Sequence, residues 1–141
     1  MLGSLLRLAS QAMAGQLAAW IAESGFEGIQ PAHSAVIQPL WEMTDGARMT
    51  TLARASRITK QSMSALVSEL EAAGYVACVA DPDDARAIRV RLTARGQTYA
   101  RAVRAFSRKV EAEWAERIGR QRLEELRSIL ERLRTSVLLA E

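Results

Sequence analysis

Asp81-Pro82-Asp83-Asp84-Ala85-Arg86-Ala87-Ile88-Arg89-Val90-Arg91-Leu92-Thr93-Ala94-Arg95-Gly96 is the stretch that decides the fold. Its acidic, proline-containing opening reads as a hairpin tip. Ile88, Val90 and Leu92 then alternate with Arg89 and Arg91, which predicts a strand with one apolar and one cationic face. Thr93 stands where a helix N-cap is expected. A hairpin tip, a strand and a helix start follow one another without a gap.

Working outward, Tyr75 to Ala80 reads as the partner strand. Before it come two short helical segments. Thr50 or Thr51 opens the first, and Ser56-Arg57-Ile58 makes the bend. Thr59 caps the second, which runs to Ala73 and stops at Gly74. Met63, Leu66, Val67, Leu70 and Ala73 form one stripe of that helix, and Lys60, Gln61, Ser62, Ala65, Ser68 and Glu69 fall away from it. Thr44-Asp45-Gly46 is a turn. A helix is predicted from Pro31 to about Met43, with Pro39 as a kink or an early break. Two short helices followed by a charged hairpin outline a winged helix-turn-helix. The expected fold class is mainly α with a small antiparallel β-hairpin (α+β).

The two ends of the chain are helical. Residues 2–22 carry apolar side chains at three- and four-residue steps. From Thr93 to about Ile118 runs a long helix with Tyr99, Val103, Phe106, Val110 and Trp114 in a seam, and Gly119 separates it from a last one. Such wide apolar faces bury little if each helix stays alone. Packing against a second copy is the simplest solution, and a monomeric bundle is the other. A dimer would place two reading helices about one DNA turn apart, as a pseudo-palindromic operator requires.

Composition excludes several classes. The 141 residues suit one modest domain, and 49% apolar content rules against global disorder. A net charge of +3 favours a polyanionic partner only mildly. One cysteine, Cys78, and one histidine, His33, exclude an internal disulfide and argue against a metal centre. No Ser-His-Asp set and no glycine-rich phosphate loop occurs, so neither an enzyme nor a bound cofactor is expected. Arg7 interrupts the apolar start, which speaks against a signal peptide. No apolar run approaches the ~18 residues of a membrane span, so no membrane partner is expected and the cytoplasm is the default location.

Leu70-Glu71-Ala72-Ala73-Gly74-Tyr75-Val76, then Asp81-Pro82-Asp83-Asp84-Ala85-Arg86, then Leu92-Thr93-Ala94-Arg95-Gly96 resemble the MarR family of bacterial transcription regulators. The resemblance implies a homodimer, with a winged helix-turn-helix DNA-binding lobe at 29–96 and a helical dimerisation lobe from 1–28 and 97–141. It implies a repressor of nearby genes that a small, often aromatic, ligand releases from double-stranded DNA. Thr59, Lys60, Gln61, Ser62 and Ser64 would open the recognition helix, where side chains reach base edges or phosphates. Arg86 would enter the minor groove, and Asp84 would hold its loop in shape. Arg48, Arg54 and Arg57 are phosphate-contact candidates, and Arg89 is a further one. His33, Trp41 and Trp20 are weaker candidates for a ligand pocket near the lobe junction.

Family members often carry arginine at four positions occupied here by Ala65, Cys78, Val79 and Ala85. Each missing phosphate contact lowers the salt slope by about one unit, so weaker or less salt-sensitive DNA binding is expected. The alternative is a winged-helix dimer with weakened DNA binding that serves as a protein-partner or small-molecule-binding module. Several residues also have plainer readings. Arg89 and Arg91 suit the solvated face of an edge strand, and Arg101, Arg104 and Arg108 suit a solvated helix face. Cys78 lacks the cation or helix N-terminus that activates a thiol, and His33 suits a buried structural role.

Overall fold

Thr93 does open a helix in the computed structural model, which describes residues 1–138. Its Oγ1 accepts the Gly96 N–H at 3.1 Å and donates to the Gly74 carbonyl at 2.6 Å. The glycine is required by the close approach it permits. A Cβ at Gly96 would fall on the carbonyl oxygen of Tyr75.

The elements run as follows: α1 Leu2–Ser24, a 3-10 turn Pro31–His33, α2 Ser34–Glu42, β1 Ala47–Arg48, α3 Met49–Ser56, α4 Lys60–Ala72, β2 Val76–Ala80, β3 Ile88–Leu92, α5 Ala94–Ile118 and α6 Arg120–Leu138. The expected helix from Pro31 to Met43 therefore begins as a 3-10 turn. Helix α2 carries through Pro39. The missing proline N–H leaves the Ala35 carbonyl without its helical donor. Ser56 Oγ of α3 supplies one at 2.5 Å.

The antiparallel sheet has three strands in the order β1-β3-β2. Val76 pairs with Leu92 and Ala80 with Ile88, while Ala47 pairs with Val90 and Arg48 with Arg89. Strand β1 has no signal in the sequence, because two residues carry no period. It corrects one expectation: Arg89 and Arg91 lie on the central strand, not on an edge. Ile88, assigned to the apolar face, is 57% exposed because the hairpin projects beyond the core there.

Two units divide the chain, residues 1–102 and residues from Val103 onward. The first has a continuous core. Val36, Ile37 and Leu40 of α2, Leu52 of α3, and Met63, Val67 and Leu70 of α4 are buried with Tyr75, Val76 and Val90. The apolar stripe of α4 thus faces inward and its polar face outward. A ring cluster extends this core: Tyr99 lies 5.8 Å from Tyr75, 5.2 Å from Phe26 and 6.1 Å from Trp20. Leu2, Leu5, Leu6, Leu8 and Met13 of α1 remain exposed.

In the second unit α6 returns after Gly119. Arg127 of α6 bonds Glu111 of α5 at 2.6 Å. Leu126, Ile129, Leu130 and Leu133 of α6 are exposed. Residues 139–141, the end of the lobe expected over 97–141, lie outside the described residues. No helix among the described residues is long and apolar enough to cross a membrane.

Candidate nucleic-acid interface

Helix α4 owes its position to its first turn. Thr59 Oγ1 accepts the Ser62 N–H at 3.0 Å and donates to Ser62 Oγ at 2.9 Å. This satisfies an otherwise orphaned amide and fixes where the helix begins. Two of the predicted contact residues are therefore spent on the cap. Lys60, Gln61 and Ser64 line a shallow hollow on the outer face with Ala65 and Ser68, and all five are exposed. Gln61, Ser64 and Ser68 offer an amide and two hydroxyls beside the Lys60 cation, which suits base edges and phosphates.

The bend before α4 turns on Arg57, the one non-glycine residue with positive φ, at 54°, among the described residues. Its N–H bonds the Arg54 carbonyl at 3.2 Å, and the Ile58 N–H bonds Ala53 at 3.1 Å. Both Arg54 and Arg57 are exposed. The left-handed conformation costs an L-residue about 1 kcal/mol, so position 57 is under backbone constraint as well as being a phosphate-contact candidate.

The hairpin tip is built by two aspartates. Asp84 Oδ1 accepts the Arg86 N–H at 3.0 Å, and the Ala87 N–H bonds the Asp84 carbonyl at 3.0 Å. Arg86 is exposed. Asp81 has a different role, which sequence reasoning missed. It is 3% exposed. Its Oδ1 accepts the Asp83 N–H at 2.8 Å, and its Oδ2 accepts Arg48 Nε at 2.9 Å and Arg89 Nε at 3.0 Å. The Asp83 amide first, then the two guanidinium groups, hold this carboxyl well below the ordinary aspartate range. Arg48 and Arg89, predicted as phosphate contacts, thus anchor the base of the hairpin. The signal lay in the quoted stretch: Asp81 and Arg89 sit diagonally on one face of a hairpin, where opposite charges pair.

Arg95 and Tyr75 were also missed. The Arg95 guanidinium stacks over the Tyr75 ring at 4.5 Å and donates to the Ala73 carbonyl at 2.9 Å, closing the end of α4. Cys78 has no activating surroundings. Burial, followed by the Glu71 carboxylate beside it, pushes its thiol up to about 11, so it is protonated at neutral pH.

None of the three ligand-pocket candidates, His33, Trp41 and Trp20, lines the hollow at the end of α1. His33 is buried, with Nδ1 accepting the Gln30 N–H at 2.9 Å and Nε2 at 2.6 Å from Glu69 Oε2. Trp20 packs against Phe26 and Tyr99. Trp41 is half-buried in α2. That hollow, of about 470 Å³, is lined by Ala18, Ile21, Ala22, Phe26, Ile29 and Pro31 together with Glu27 and Gln30. No cluster able to hold a metal ion occurs among the described residues.

A capped outward-facing helix after a tight bend, followed by a two-stranded wing on a three-stranded sheet, defines a winged helix-turn-helix protein. Residues 28–87, which carry that helix-turn-helix and much of the wing, match the model of the MarR family. The HTH-type transcriptional repressor Rv2887 of Mycobacterium tuberculosis is 33% identical over 88 residues, which are 62% of this chain and 63% of that relative. The chain thus spans under two thirds of the curated relatives it matches. The solved structure of M. tuberculosis Rv2887 in complex with salicylic acid aligns with a TM-score of 0.69 at 27% identity, over 94% of this chain and 96% of the other. The Staphylococcus aureus MepR–DNA complex aligns with a TM-score of 0.80 at 19% identity, over 97% and 98%. Over residues 28–87 in sequence, and across the fold, the chain is similar to members of the MarR family.

Proposed function

We propose that this protein is a homodimeric DNA-binding transcription regulator of the bacterial cytoplasm, a repressor of nearby genes that a small aromatic ligand releases. One observation carries the reading: helix α4 is fixed at its start by Thr59 and yet presents Lys60, Gln61 and Ser64 to solvent. A buried stripe with an outward polar face is what a recognition helix needs. Arg86 at the wing tip supplies the minor-groove cation. The name of the M. tuberculosis relative as a repressor, its complex with salicylic acid and the MepR complex with DNA support the same reading. The apolar hollow at the end of α1 is the natural seat for the ligand, since Phe26, Ile29 and Ile21 offer the surface an aromatic ring needs. Linkage then operates in both directions: a ligand that weakens DNA binding is itself weakened by DNA to the same factor.

The test is binding to a duplex from the protein's own upstream region against an unrelated duplex, across a salt series. We expect preference for the former, lost in Arg86→Ala. With Ala65, Cys78, Val79 and Ala85 neutral, we expect a log–log salt slope shallower than that of an arginine-rich relative, by about one unit per absent contact. No binding to either duplex at low salt would overturn the repressor reading. It would leave a winged-helix module that acts through a protein partner or a small molecule.

A further inference from the structure

Gln30, His33 and Glu69 form a chain of contacts that the reading surface described above does not use. His33 is 2% exposed. Because its Nδ1 accepts the Gln30 backbone N–H, the ring proton resides on Nε2, which donates to Glu69 Oε2 at 2.6 Å. Both ring nitrogens are committed. Glu69 is exposed and lies in one helical row with Gln61 and Ala65, at steps of four residues. A carboxylate in that row faces the same polyanion as Gln61, which is unfavourable for binding. A structural task explains its presence there.

We propose that His33 is a positioning residue for DNA recognition. By holding Glu69 it fixes the rotation of α4, and with it the register in which Lys60 and Gln61 meet the bases. The inference rests on the DNA-binding reading above. The same contacts connect the ligand hollow to the reading surface. Gln30 lines that hollow and bonds His33, and the carbonyl of Glu27, another lining residue, accepts the Tyr75 hydroxyl at 2.7 Å. The segment 27–30 is therefore tied once to the recognition helix and once to the start of the wing. A shift of this segment moves the reading surface.

The experiment measures the ratio of affinities for a duplex enriched from a randomised pool by the wild-type protein and for an unrelated duplex of equal length. Thermal melting runs beside it. The variants are Glu69→Gln, Glu69→Ala, His33→Ala and the double alanine variant. Glu69→Gln keeps an acceptor for Nε2–H and should hold the ratio within about twofold. Glu69→Ala should lower it about tenfold, although removal of a negative charge alone would raise affinity for both duplexes. His33→Ala should match Glu69→Ala, and the double variant should be no worse. Should His33→Ala fail to fold, the two Glu69 variants decide, since that side chain is exposed. A higher affinity of Glu69→Ala for both duplexes with the ratio unchanged would overturn the proposal. So would a loss of melting temperature in His33→Ala without a change in ratio. Absence of wild-type binding to both duplexes would overturn the DNA-binding reading itself.

Discussion

Asp81 is the residue on which the wing rests. It gathers two cations from two strands onto one buried oxygen and takes a backbone amide on the other. Each arginine uses Nε for this, and the Arg48 side chain is still 45% exposed. A guanidinium can hold Asp81 and keep further N–H groups for a phosphate, whereas a lysine offers one point charge. The native carboxyl titrates below its unfolded value, so it stabilises the fold at neutral pH. That contribution is fully present above the unfolded aspartate value of about 3.9 and is lost as pH falls through the native one. We expect Asp81→Asn to melt below the wild type at pH 7. The two should converge as pH falls below about 4. A gap in melting temperature, followed by circular dichroism, that stays constant through strongly acidic pH would show that the charge of Asp81 is not what matters.

At the scale of elements, the boundaries are set by single capping groups. Thr59→Ala removes the acceptor for the Ser62 amide and should cost about 1 kcal/mol in chemical denaturation. Thr59→Ser should restore most of it. A silent Thr59→Ala would mean that the tertiary stripe of α4 alone sets the start of the helix. These boundaries were legible in the sequence because caps and stops are local chemistry: Thr59, Gly74, Thr93 and Gly119 each announce an end. The alternation of Ile88, Arg89, Val90 and Arg91 likewise announces β3. Strand β1 was not legible, because two residues after Gly46 show no alternation and pair only with a strand more than forty positions away. The surroundings of the candidate contact residues were not legible. Nothing near Arg48 in the sequence points to Asp81, and nothing near His33 points to Glu69. Those pairings are made by folding, not by spacing.

At the scale of the molecule, each end carries an apolar face that the chain itself leaves uncovered. Leu2 and Leu5 of α1 are 66% and 64% exposed, and Ile129 of α6 is 54% exposed. Burying a leucine side chain is worth about 1.5–3 kcal/mol, so several such residues on each helix favour a stable dimer. We expect sedimentation equilibrium to give a dimer. Leu5→Glu or Ile129→Glu should raise its dissociation constant about a hundredfold or more without loss of helix content. A wild-type monomer at high concentration would refute the dimer.

The outer strand of the sheet has a consequence of its own. Strand β2 lies at an edge, and its residues Val76-Ala77-Cys78-Val79-Ala80 carry no charge. Uncharged edges of this kind invite the strand of another molecule to add itself and begin an aggregate. Here the Glu71 carboxylate reaches over and occupies the Cys78 N–H at 2.8 Å. An incoming strand would have to displace that acceptor and lie beside its negative charge. With no charge along this strand, the chain entrusts its colloidal safety to one glutamate on the neighbouring helix.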